Sequence, residues 1–196
     1  LTGGDGGTSH ARPDLMFEVT GRFAEKARRI HPGLGVWVSN QGFSPELNNM
    51  FFDYLQQQPE WVTGVVYGPW VRILLDEQRA RVPEQYPIRR YADIGHCVRG
   101  QYSVPGWDRA FAQTLGREPF APRPQGHANI HNRFDEYADG FVTYSDGVGD
   151  DVNKFVWTAL GWDPDRDLGD IMLDYSRFFF GWEIGEPVRQ GLFLLE

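Results

Sequence analysis

Short, almost wholly apolar segments separated by amphipathic ones restrict this chain more than any other feature. Gly35 to Ser39 reads Gly-Val-Trp-Val-Ser, and Trp61 to Tyr67 reads Trp-Val-Thr-Gly-Val-Val-Tyr. A strand covered on both faces, as in a parallel sheet, shows such a continuous run in place of the alternation of a half-exposed strand. Segments of helical periodicity lie around them. Pro13 sits at a first helical position, and Met16, Val19, Phe23, Ala27 and Ile30 recur at helical spacing before Pro32-Gly33 stops the helix. Ser44 and Pro45 form an N-cap and first-turn pair for a second helix, with Leu47, Phe51, Tyr54 and Leu55 on its buried side.

The rhythm continues towards the carboxyl end. Val71, Leu74 and Leu75 suggest a helical turn or two, and Ile88 to Val98 is a further strand. Trp107 to Leu115 reads as a short helix, Pro119, Pro122 and Pro124 mark a loop, and His127 to Tyr137 is expected to be helical. Phe141 to Tyr144 is β-prone, passes through Ser145-Asp146-Gly147, and opens a helix lined by Val152, Phe155, Val156, Ala159 and Leu160. Asp150 and Asp151 fall in its first turn, where the helix dipole favours carboxylates. Leu168, Ile171, Met172, Tyr175 and Phe179 line a last helix begun after Asp163-Pro164.

Such alternation predicts one α/β domain over residues 1–196, with parallel strands and outer helices, either doubly wound or a (β/α)8-type barrel. Neither a G-x-G-x-x-G fingerprint nor a G-x-x-x-x-G-K-[ST] phosphate loop is present. Polar groups recur instead at each strand end: Asp5, then Asn40 and Gln41, Tyr67, Asp93 and His96, and finally Tyr144 and Asp146. Chemistry spread over successive strand ends is the barrel pattern, and five βα units fit the carboxyl-terminal part of a barrel of ~250 residues. A partial barrel has sheet edges for a second copy of the chain to cover.

Charge narrows the partners. A formal charge of -8 at pH 7 lacks the basic surface that a phosphate backbone requires, so nucleic acid is excluded as a partner. No apolar run is long enough to span a bilayer, and a membrane is excluded likewise. Cys97 is the only cysteine, so an intrachain disulfide is impossible and the compartment is left open. Aromatic residues make up 15% of the chain, which suits platforms for sugar rings as well as cores.

Three motifs carry a resemblance. Gly3-Gly4-Asp5 is similar to the Gly-Gly-Asp-Glu signature of β-hexosaminidase-type barrels. Tyr144-Ser145-Asp146-Gly147 through Asp150-Asp151-Val152-Asn153-Lys154-Phe155 resembles a Tyr-Ser-Glu-Gly, Asp-Asp-Val-Asn-Lys pattern of bacterial glycoside-hydrolase-like barrels, and Tyr91-Ala92-Asp93-Ile94-Gly95-His96 resembles a Tyr-Pro-Asp-Ile-Thr-His block there. The resemblance implies a barrel that acts on an amino-sugar-containing or related glycan, without a cofactor. Gly6 stands where the first signature has its general-acid Glu, and Asp146 where the second has Glu.

Glycoside hydrolysis needs two carboxyls across the scissile bond, about 5–5.5 Å apart for retention and ~6.5–9.5 Å for inversion. Asp5, Asp93 and Asp146 are the carboxylates expected at strand ends. Asp146 and Asp93 are expected to supply acid and base or nucleophile, with Asp5 orienting the substrate. Asn40, Gln41, Tyr67, His96, Trp107, Tyr144 and Asn153 are the expected sugar contacts. Two other classes are consistent with the residues: a non-catalytic glycan-binding barrel, and a metal-dependent hydrolase using His127 and His131. Those two share a helix face at i, i+4, but no H-E-x-x-H accompanies them, and no metal is expected.

Overall fold

A computed structural model of the chain describes residues 13–95, 122–145 and 150–196. In order, the described elements are α1 (Pro13–Ile30), β1 (Trp37–Val38), α2 (Pro45–Gln56), β2 (Gly64–Tyr67), α3 (Leu75–Arg81), β3 (Ile88–Gly95), α4 (Pro124–Arg133), a 3-10 turn (Asp135–Tyr137), β4 (Phe141–Ser145), α5 (Asp151–Trp162), α6 (Leu168–Phe180) and α7 (Gly185–Leu194). The four strands form one parallel sheet in the order β1-β2-β3-β4. Trp37 pairs with Gly64 and Val38 with Val65, and Val65, Val66 and Tyr67 pair with Ile88, Arg89 and Arg90. Each strand therefore lies beside its successor. No reversal of strand order, the mark of a doubly wound sheet, occurs among the described strands. No described helix is long and apolar enough to cross a membrane.

The chain divides into two compact units, and β3 passes from one into the other after Tyr91. In the first unit, α2 is capped as its sequence predicts: Ser44 Oγ accepts from the Leu47 N–H, and Leu47, Phe51 and Leu55 are buried. Phe51 packs edge-on against Phe43 and Phe52. Helix α1 has the predicted length but a different buried face. Phe17, Gly21 and Ala24 point inward, whereas Val19, Phe23 and Ile30 are exposed. Phe17 stacks on Tyr54 with centroids 4.4 Å apart, and Gly21 admits the Trp61 indole.

In the second unit, Val152, Val156 and Leu160 of α5 meet Ile171, Met172 and Tyr175 of α6. The Tyr175 hydroxyl donates to Asp151 Oδ2 at 2.5 Å. Burial first, then that bond and the Asp151 charge, raise the phenol above its ordinary range. A second cluster joins Ala92 and Ile94 of β3 to Trp157 of α5, with Ile130 and Phe141 alongside. It fixes which side of β3 faces the helices.

Candidate functional site

Successive side chains of a strand point to opposite faces. Because Ala92 and Ile94 pack against Trp157, Asp93 and Gly95 occupy the other face of β3. Asp93 is buried there, in the carboxyl-terminal half of a parallel strand.

Gly95 lacks a side chain for a definite reason: a Cβ at this position would overlap the carboxylate of Asp150. Asp150 precedes the first turn of α5 and is only 1% exposed. It does not cap the helix through its side chain. Oδ2 accepts a 2.5 Å hydrogen bond from the Ser145 hydroxyl at the end of β4, and Oδ1 a longer one, 3.4 Å, from Asn153 Nδ2. Asn153 Oδ1 accepts from the Arg123 N–H at 2.8 Å, tying α5 to the residue that precedes α4. With a rise of 3.2–3.4 Å per residue, the place filled by the Asp150 carboxylate lies about 7 Å along the strand from the Asp93 Cβ. Two buried carboxylates thus share one face of β3 at the strand ends. That spacing is of the order that a glycosidase pair spans, roughly 5–9.5 Å.

Of the expected site residues, Asp5, His96, Trp107 and Asp146 lie outside the described residues, as does Cys97. Asp93 and Asn153 fall in the corner just described. Tyr144 is exposed on β4, next to Ser145. Asp150 was expected from sequence only as a dipole-complementing residue. The sequence signal that could have found it is the Asp93-Ile94-Gly95 run, where a glycine follows an acid on the same strand face.

Asn40, Gln41 and Tyr67 belong to the first unit. Asn40 is fully buried, its Nδ2 donating to Asn48 Oδ1 at 2.8 Å and to Gln78 Oε1 at 3.1 Å while its Oδ1 accepts from Gln78 Nε2 at 3.0 Å. This amide trio braces α2 and α3 against the end of β1. The Tyr67 hydroxyl donates to the Ile73 carbonyl at 2.8 Å. Gln41 is buried against Gly68, where a Cβ would overlap its Oε1.

His127 and His131 enter the aromatic cluster of the second unit. Trp157 Nε1 donates to His127 Nδ1 at 3.0 Å, and the His131 ring stands edge-on to Phe141 and Trp157. Burial first, then the Arg123 charge, hold His127 down at about 3, so it is neutral at pH 7. Among the described residues no three His, Cys, Asp or Glu side chains come together as a metal site would require.

Compared with protein-family models, with curated proteins and with solved structures, the chain finds no match.

Proposed function

We propose that this chain is a glycoside hydrolase built on a segment of a (β/α)8-type barrel, acting on an amino-sugar-containing or related glycan, with Asp93 as one of its working carboxyls. The observation that carries the reading is the placement of Asp93 and Asp150 on one strand face, opposite the helix-packed one. In a barrel that face is the interior, and the carboxyl ends of the strands are the catalytic end. Sequential parallel order supports the barrel, because closing a barrel requires each strand to lie beside the next.

In such a reaction one carboxyl, carrying a proton, delivers it to the glycosidic oxygen as the bond to C1 breaks. The second, ionised, either attacks C1 or takes a proton from the water that does. Asp93 takes one of these roles. Its partner is Asp146, the family-like position directly after Ser145, or Asp150, whose hydrogen bond to Ser145 fixes the strand end from which Asp146 departs. A second copy covering the sheet edges belongs to the same reading.

Aryl glycosides of N-acetylglucosamine, N-acetylgalactosamine, glucose and galactose test it. Losing a general acid or base costs about 10²–10⁴ in rate, so Asp93→Asn should fall by that factor with an unchanged circular dichroism spectrum. Comparing Asp146→Asn with Asp150→Asn then assigns the partner. Unchanged turnover in Asp93→Asn rules the assignment out.

One observation favours a second reading. The Asp150 carboxylate is enclosed and engaged on both oxygens, as a structural carboxylate would be. The alternative is a barrel that binds glycans without cleaving them. Calorimetric binding of chito-oligosaccharides, with no reducing ends released over hours, would select it.

A further inference from the structure

We infer that Trp70 and Gln41 form a subsite for a pyranose ring at the carboxyl end of β1 and β2, with the indole as its floor and the amide at its edge. This inference rests on the glycan reading above and names residues that the carboxylate chemistry does not involve.

Trp70 is 46% exposed, yet its backbone is fixed. It lies in the turn Gly68-Pro69-Trp70-Val71, closed by the Val71 N–H on the Gly68 carbonyl at 3.1 Å, and proline at the second turn position presets the backbone. The Trp70 carbonyl accepts from the Gly42 N–H at 3.0 Å, and the Tyr67 hydroxyl holds the Ile73 carbonyl just beyond. A large aromatic left in water on a braced turn gains nothing for folding. Its rigidity instead lowers the ordering cost of binding, as for an aromatic anchor at an interface.

Gln41 supplies the second, independent observation. Its side chain is 8% exposed, and its amide has no hydrogen-bond partner among the described residues. Burying an amide without a partner costs about 1–3 kcal/mol by protein mutational scales, so such a group calls for a polar ligand or water. The same turn holds it, since only a glycine at position 68 leaves room for the amide. A ligand that suits an indole face and an amide edge together has an apolar face and a hydroxylated rim. A pyranose has both, through its axial C–H bonds and its equatorial hydroxyls. Nucleic acid, whose bases also stack, is disfavoured by the net charge of -8.

Titration of the whole chain with chitotetraose and cellotetraose by calorimetry tests the subsite. Trp70→Ala should weaken binding of the preferred oligosaccharide at least tenfold, Trp70→Phe should retain it to within a few-fold, and Gln41→Ala should weaken it while leaving thermal unfolding within a few degrees of wild type. If the wild type binds and Trp70→Ala binds equally well, the subsite is overturned while the glycan reading stands. If the wild type neither binds nor cleaves any oligosaccharide, both fail together. A wild-type dimer in sedimentation velocity that Trp70→Ala dissociates would overturn the subsite in favour of a self-association surface.

Discussion

Gly95 shows how a missing side chain organises a site. The Asp150 carboxylate fills the place where a Cβ would sit, and Ser145 and Asn153 hold it there. Gly95→Ala should therefore destabilise by about 1–3 kcal/mol, the usual cost of overpacking a filled position. Urea unfolding measures it, and the cause can be separated from any intrinsic preference of the strand. In an Asp150→Ala background the carboxylate is gone, so the cost of Gly95→Ala should shrink to well under half. Equal costs in both backgrounds would mean that the contact is not the source, because residues in contact couple whereas independent ones add. At this scale Asp93 was legible in the sequence: an acid within an apolar strand stands out, since burial demands a partner. Asp150 was not, because an acid at a helix start is already accounted for by the dipole. Nothing local signals that its carboxylate turns back to Ser145.

Among the elements, α1 and α2 mark how far periodicity reaches. The Ser44-Pro45 pair and the Leu47, Phe51, Leu55 spacing define α2 on their own, and the structure keeps all of them. For α1 the boundaries were legible, with Pro13 at the start and Pro32-Gly33 beyond the end, but the buried face was not. Large apolar residues outweigh small ones in any pattern count, so Val19, Phe23 and Ile30 draw the stripe away from Gly21 and Ala24. Packing decides otherwise, because a glycine and an alanine let α1 approach closely enough for the Trp61 indole to meet Gly21 and for Phe17 to stack on Tyr54. The two phenylalanines should then respond oppositely. Phe17, 6% exposed, should lose about 3 kcal/mol or more on truncation to alanine, as buried aromatics do. Phe23, 65% exposed, should change stability by no more than roughly 0.5 kcal/mol. Chemical denaturation of Phe17→Ala and Phe23→Ala decides between the faces, and a larger loss at Phe23 would restore the periodicity-based one.

For the whole molecule, acid response follows from the histidine that packing has withdrawn from water. His127 sits under Trp157, its Nδ1 accepting the indole N–H, and is held down at about 3 from an ordinary 6.5. In the unfolded chain it takes up a proton as pH drops through 6.5, whereas in the folded chain it stays neutral until about 3. Between those limits the unfolded state binds more protons, so stability rises with pH. The contribution is complete above 6.5 and lost progressively as pH falls towards 3, at up to about 1.4 kcal/mol per pH unit for one proton. His127→Gln removes this titration and keeps a side-chain acceptor for the Trp157 N–H. Urea unfolding at pH 7, 6, 5 and 4 should show the wild type losing stability more steeply than the variant, by about one proton's worth between pH 6 and 4. Equal slopes would show that His127 is protonated without unfolding the chain. The same neutral, enclosed imidazole bears on function: with Nδ1 taken by Trp157 and the ring in an aromatic cluster, acidification should disrupt the packing of α4 on α5 before it alters the chemistry at Asp93. Activity lost below pH 5 should then track unfolding, and circular dichroism followed beside turnover separates the two.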